Sequence, residues 1–313
     1  MANLKDIRRR IASVKSTQKI TRAMKMVAGA RLNRAQLRIS ALRPYAVATG
    51  NVLAEVTANQ EGADSEGTEV AHPLLARRPE KSLLFVVITS DRGLCGAFNS
   101  SILRHAERLW HEHEAKGTRV QFAVVGRKGR EYLTRRGAPI LHAFDKIWDN
   151  LSLEQARRIA PTVLRPFVTG DVDAVYLVYN EFKSAMTQRV TTEALFPLPR
   201  SEASQSVSEP SDGPTLNFMF EPNQNALLER LVPMYVEVTL YRALLESMAS
   251  ELGARMTAMD SATKNASDMI ARLTLKYNRA RQAAITTELM EIIGGSEALN
   301  SCCLLYTSDA ADE

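Results

Sequence analysis

Ten residues, SDRGLCGAFN from Ser90 to Asn99, have the types and the setting that could do chemistry. They follow the apolar run LLFVVIT and precede a helical pattern, NSSILRHAERLW. Strand, glycine-bearing turn and helix, in that order, is where open α/β proteins hold phosphates, because helix N–H groups point out of the turn. The chemistry would be nucleotide binding. Yet a dinucleotide cradle wants Gly-x-Gly-x-x-Gly and a P-loop wants Gly-x-x-x-x-Gly-Lys-Ser/Thr, whereas here Gly93 and Gly96 flank Leu94 and Cys95 and no lysine follows. The residues read as a tight turn with Gly93 and Gly96 at unusual backbone angles and Asn99 near a helix start. Cys95 has no His or Asp arranged near it in sequence to activate it, so it reads as a structural thiol.

Other candidates fade on the same grounds. His111 and His113 flank Glu112, but side chains two apart on a helix point in different directions and cannot share a metal. Tyr235, Tyr241 and Tyr277 fall at helical positions suited to packing. Cys302 and Cys303 lie near the end of the chain and, with Cys95, form neither metal-ligand spacing nor a disulfide framework. No catalytic constellation, cofactor site or metal site is expected. A reducing, cytoplasmic setting fits, and no secretory signal or transmembrane run is read.

The elements that must position these residues are unusual. Residues 1–45 hold twelve Lys and Arg against one acid, a balance of +11 in a chain of 313 residues whose total is +5, so the remainder is acidic. Arg8, Arg9, Arg10, Lys15, Lys19, Arg22 and Lys25 form the start of a basic face that seeks an anionic partner. The same segment steps alternately by three and four from Leu4 through Ile7, Ile11, Val14, Gln18, Thr21, Lys25, Ala28, Leu32, Ala35, Ile39, Leu42, Ala46, Thr49 and Leu53 to Val56. That is a heptad seam, predicting one helix roughly 80 Å long, bent at Pro44.

A second helical run follows FMFEPNQN, with Leu228, Leu231, Leu245, Met248, Leu252, Met259, Ala262, Ala266, Met269, Leu273, Ala280 and Ala284 apolar. Pro233 and Gly253 read as weak points within it, at about 3 and 1 kcal/mol for interior positions. Two such helices at opposite ends of one chain can bury their seams on each other, which predicts an antiparallel coiled coil, with small residues such as Ala28, Ala35, Ala262 and Ala266 allowing close approach.

Between them, apolar strands alternate with helices: 83–89, a helix near 99–115, 119–126, a helix near 127–136, a helix near 153–169, and 172–180. QRVTTEALFPLP and LNFMF are candidate edge strands. The fold class is therefore α/β: a long antiparallel coiled coil of the terminal helices plus a small Rossmann-like domain with a mainly parallel sheet. The expected organisation is a shaft helix over 1–58, a linker over 59–81, a foot domain over 82–200, a linker over 201–215 and a second shaft helix over 216–299. A tail over 300–313 changes character abruptly, after a helix stop at Gly294 and Gly295, and reads as extraneous.

Four stretches carry a resemblance: IASVKSTQKITRAMKMVAGARL, SDRGLCGAFN, YRALLESMASELGARMTAMDSATKNA and NRARQAAITTELMEIIGG. Together, in this order, they closely resemble the gamma-subunit family of bacterial F-type ATP synthases, over about residues 1–299. The resemblance implies a non-catalytic central shaft passing up a ring of three alpha and three beta subunits. It also implies a foot that sits with epsilon on the membrane c-ring, on the cytoplasmic face of the plasma membrane. It carries Met24 onto a shaft position facing an acidic beta loop, and Arg255 and Gln282 onto polar positions that engage beta near the upper shaft. It implies no cofactor, no nucleic acid and no small-molecule substrate. Two other readings use the same features: a basic coiled coil that neutralises nucleic-acid phosphates, which lacks stacking aromatics, and an α/β enzyme with helical arms, whose turn fails the phosphate templates.

Overall fold

The computed structural model describes residues 4–61, 78–197 and 224–308, with side chains from 4–53, 78–197 and 227–299. Helix α1 (Leu4–Glu61) is followed by β1 (Ser82–Ile88), α2 (Phe98–Ala115), β2 (Arg119–Val125), α3 (Arg127–Arg135), β3 (Ile140–Phe144) and a single 3-10 turn (Ile147–Asn150). Then come α4 (Leu153–Thr169), β4 (Ala174–Phe182), β5 (Gln188–Phe196) and α5 (Gln224–Ser308). LNFMF, the linker at 201–215 and most of the linker at 59–81 lie outside the described residues, as do residues 309–313 of the tail.

The sheet has the order β3-β2-β1-β4-β5. Strands β1, β2, β3 and β4 pair in parallel, and β5 closes one edge antiparallel to β4, as expected of QRVTTEALFPLP. Strand β1 is buried on both faces, which is why it is a continuous apolar run. One face places Phe85, Val87, Phe122 and Val124 against Phe98, Ile102 and Ala106 of α2 and Leu133 of α3. On the other, Leu84, Val86, Ile88 and Leu177 meet Ile159, Val163 and Phe167 of α4, and Leu228, Val232, Val236, Leu240 and Leu244 of α5.

The chain divides into two compact units, Met1–Met24 with Met259–Glu313, and Lys25–Ala258. In the larger unit the first part of α5 is a covering layer of the sheet and shares its core. The α1 seam is as predicted: every step from Leu4 to Leu53 is buried or half-buried, and outside it only Met24, Gly29 and Gly50 are not exposed. Within the smaller unit Gln18 Nε2 donates to Ser267 Oγ at 2.6 Å and Thr263 Oγ1 to Thr21 Oγ1 at 2.9 Å. Within the larger, Tyr45 Oη donates to Met234 Sδ, and a Cβ on Gly29 would stand 3.7 Å from Met256 Sδ. In each unit later α1 residues meet earlier α5 residues, so the pairing is antiparallel.

Helix α1 continues through Pro44 and α5 through Pro233 without a break. Three expectations need correcting. Helix α5 does not stop at Gly294 and Gly295 but runs on to Ser308, because a glycine inside a helix costs only about 1 kcal/mol and does not by itself end one. Met269 is exposed at 52%, and Ile270, one residue on, takes the seam position between Ala266 and Leu273. Strand β3 was not anticipated from ILHAF, whose Leu141 and His142 are exposed at the sheet edge.

Candidate functional site

Open α/β sheets bind ligands beyond the carboxyl ends of the strands, at the point where strand order reverses. Here the chain builds outward from β1 to β2 and β3, then returns to place β4 on the other side of β1. The crevice therefore lies between the loop after β1, which is SDRGLCGAFN, and the loop after β4, Lys183 to Thr187.

Short polar side chains hold the first loop. The Ser90 N–H donates to Asn99 Oδ1 at 3.0 Å, Ser90 Oγ donates to Arg92 O at 2.7 Å, and Asn99 Nδ2 donates to Ser90 Oγ at 2.8 Å and Cys95 Sγ at 3.3 Å. Leu94 and Gly96 take positive φ, 66° and 57°, so one of the two positions read as unusual is so, and its partner is Leu94 rather than Gly93. At Gly96 the backbone comes against α5: a Cβ there would stand 3.8 Å from Ala258 Cβ and 3.9 Å from Ala254 O.

The second loop reaches the same stretch of α5. A Cβ on Gly253 would lie 3.2 Å from Ala185 Cα, 3.3 Å from Ala185 O and 3.4 Å from Phe182 Cε2. Thr257 Oγ1 donates to Ala185 O at 3.1 Å, and buried Ser250 Oγ donates to Asn180 O at 3.0 Å. The crevice where a nucleotide would sit is thus filled by the chain's own helix. Gly253, read from sequence as a weak point, is where the second loop makes backbone-level contact.

The other anion-binding device of the fold is closed as well. The first turn of α3 would offer free N–H groups to a phosphate. Instead Arg127 N–H donates to Asp91 Oδ1 at 2.8 Å, Lys128 N–H to Ser90 O at 3.1 Å and Gly129 N–H to Thr89 Oγ1 at 2.9 Å. Among the described residues no group of His, Cys, Asp and Glu is placed to hold a metal ion. A shallow groove lies along Ser40, Pro44 and Val47 of α1 and is lined by none of the crevice residues.

Beneath the turn sits a charged pair. Arg255 is ion-paired to Glu251 one helical turn earlier, their side chains 14% and 13% exposed. Burial holds the Glu251 carboxyl above its ordinary range, opposed by the Arg255 charge and by Arg31 and Arg92. Burial likewise raises the Cys95 thiol, with Glu251 adding to the effect, so Cys95 is a protonated, 2% exposed packing residue. Tyr235 and Tyr241 pack on the sheet core, as expected. His113 is half-buried over the Phe85 ring, whereas His111 is exposed.

The residues carried over as beta contacts fall in three environments. Gln282 is exposed on α5, Met24 is half-buried on α1, and Arg255 is largely buried against Glu251 beside the turn. On the basic face Arg8, Arg9, Arg10, Lys15, Lys19 and Arg22 are exposed, and none forms an ion pair among the described residues. Lys25 is half-buried and already engaged. Sequence reasoning missed Ser250, Glu251 and Ala185; the signal for the helix side was the cluster of small residues from Gly253 to Ala258.

The family model described as ATP synthase matches residues 3–299. The ATP synthase gamma chain of Sorangium cellulosum is 56% identical, the match covering 96% of this chain and 99% of that one. Among solved structures, the Tetrahymena thermophila mitochondrial ATP synthase central stalk/c-ring contains a chain that is 31% identical with a TM-score of 0.59, over 78% of this chain and 99% of that one. A chain of the Euglena gracilis mitochondrial ATP synthase, 22% identical, shares the fold with a TM-score of 0.64 over 95% of each chain. Matched by the family model over residues 3–299 and 56% identical to a gamma chain over 96% of its length, the chain belongs to the ATP synthase gamma chain family.

Proposed function

We propose that this chain is the central rotor shaft of a proton-translocating F-type ATP synthase, itself non-catalytic. It stands within three alpha and three beta subunits, its α/β domain rests with epsilon on the membrane c-ring, and the complex lies on the cytoplasmic face of the plasma membrane. Proton flow turns the ring, the α/β domain turns with it, and the helix pair drives each beta subunit in turn through states that bind, make and release ATP.

The observation that carries this reading is the exposed basic face from Arg8 to Arg22, which forms no ion pair among the described residues while the seam behind it is buried. Such a face suits a shaft that turns against acidic loops, because spread positive charge attracts without strongly favouring one angle. Beyond Ala284, α5 presents Ile285, Leu289, Met290, Ile292 and Ile293 to solvent, an apolar end suited to a greasy collar. Gln282 is exposed for a polar contact with beta, and Met24 stands beside the basic face.

Co-expression with alpha, beta and epsilon subunits tests the reading. The expected result is a stable complex in which ATP hydrolysis rotates a probe fixed to this chain's α/β domain. Failure to co-purify with alpha and beta, or saturable nucleotide binding by the isolated chain, would overturn it.

A further inference from the structure

We propose that torque enters the shaft through α5 rather than α1, at a lock formed where the loops after β1 and β4 close on Gly253 to Ala258; this rests on the rotor reading above. A driven shaft needs a place where the driving domain cannot slip around or along the helix it turns. Side-chain contacts alone yield easily, since long side chains change rotamer; backbone against backbone does not.

The lock has that character on both sides of α5. Gly96 brings the first loop's backbone to Ala254 and Ala258, and Gly253 lets the second loop's backbone lie against the helix at Ala185. Four of the helix positions involved, Gly253, Ala254, Thr257 and Ala258, are small, which lets the loops approach the helix closely. Thr257 to Ala185 O and buried Ser250 to Asn180 O fix the axial position, each a directional bond that sliding would break. Further along α5 the attachment continues through Arg242, paired with Glu193 of β5, and Glu237, paired with Arg157 of α4 at 2.9 Å.

Helix α1 is joined to the α/β domain in a different way. Arg38 Nη1 donates to Leu151 O at 3.4 Å, and Ile39, Leu42 and Leu53 add apolar contacts to the core. Those contacts are side-chain contacts, and Leu32 and Ala35 pack with Ala249 and Leu252 of α5 in a small cluster that Phe182 and Ala185 also touch. Helix α1 is therefore held through side chains, beside a helix that is itself gripped at its backbone.

The assembled synthase in vesicles tests this with three variants. Gly253→Val should push the Ala185 loop off the helix, leaving ATP hydrolysis near the parent rate while ATP-driven proton pumping falls about tenfold. Arg38→Ala should leave both unchanged. If Gly253→Val fails to assemble, the Ala185→Cys/Gly253→Cys pair decides: with a Cβ at 253 only 3.2 Å from Ala185 Cα, a disulfide is within reach, and oxidation should leave pumping intact because the contact does not open in the cycle. Normal pumping in Gly253→Val, loss of pumping in Arg38→Ala, or inactivation by the disulfide would each overturn the lock while leaving the rotor reading standing. The rotor reading fails separately, if the parent chain does not assemble with alpha and beta.

Discussion

Replacing Gly126 by alanine tests the account of how the phosphate-binding position is closed. Gly126 joins β2 to α3 with φ 97° and ψ 141°, a conformation that L residues rarely adopt and that costs them about 1–3 kcal/mol. A Cβ there would stand 2.2 Å from Thr89 O, 2.7 Å from Thr89 C and 2.9 Å from Thr89 Oγ1. The neighbour is backbone, and it cannot move freely: Thr89 N–H donates to Val125 O at 2.8 Å and Gly126 N–H to Phe144 O at 2.9 Å, so relief at one point breaks the ladder at another. Forced backbone displacement adds about 1–3 kcal/mol, and the stiffer unfolded chain returns about 0.4–1, so Gly126→Ala should destabilise by about 3 kcal/mol. Gly129→Ala separates the two causes. That residue is helical, with no unusual backbone angle to strain, and its Cβ would meet the side-chain atoms Thr89 Oγ1 at 2.6 Å and Val124 Cγ1 at 2.8 Å in place of backbone. A net cost of about 1–2 kcal/mol is expected for it. Urea unfolding followed through Trp110 and Trp148, both in the α/β domain, gives the two values. A Gly126→Ala chain within about 0.5 kcal/mol of the parent, or no worse than Gly129→Ala, would refute the reasoning.

Other outcomes follow from the same structure. In a Cys302→Ser/Cys303→Ser background, Cys95 should react with a maleimide at least about tenfold more slowly in the folded chain than in urea, since it is buried and its thiol is raised. Burial, partly opposed by Arg242, raises the Glu246 carboxyl, with Glu181 and Glu193 adding and Arg43 opposing. The folded chain thus holds a proton there that the unfolded chain has lost, so this contribution to stability is present below the ordinary carboxylate range and lost as pH rises through the folded value. Glu246→Gln should therefore raise the melting temperature near about pH 7 and leave it unchanged near about pH 4. Gly294→Ala and Gly295→Ala, with no neighbour within 4 Å of the added carbon, should each favour helix by about 1 kcal/mol, read by circular dichroism. Deleting residues 300–313 should leave assembly and ATP synthesis in reconstituted vesicles unchanged; loss of either would show that the tail belongs to the machine.

Much of the fold was legible because burial and periodicity coincide. The α1 seam could be read residue by residue, since a helix that packs on one partner along its length has a single apolar period to obey. Strands β1 and β2 and helices α2, α3 and α4 were legible for a similar reason, their apolar runs being bounded by turns. Strand β3 was not: an edge strand pairs on one side only, and His142 interrupts its short apolar run. The absence of a nucleotide template in SDRGLCGAFN could be seen directly, but what the turn does instead could not. Its partner, Gly253 to Ala258, lies more than a hundred and fifty residues away, and its small residues mark a close contact without saying with what. Arg255 shows the converse, since a polar helix residue looks available for a partner until its burial against Glu251 is seen.

The hydroxyl and amide pairs in the helix seam have a metric consequence. Were α5 displaced by one heptad, the Thr21 hydroxyl would still donate to Gln18 O of its own helix but would face Met256 or Ile270 in place of Thr263, losing the hydrogen bond it accepts across the seam, at about 0.5–1.5 kcal/mol. Leucines and alanines would tolerate that shift, because one apolar pair resembles the next. Gln18–Ser267 and Thr21–Thr263 therefore act as graduation marks, setting the height on one helix at which each residue of the other stands.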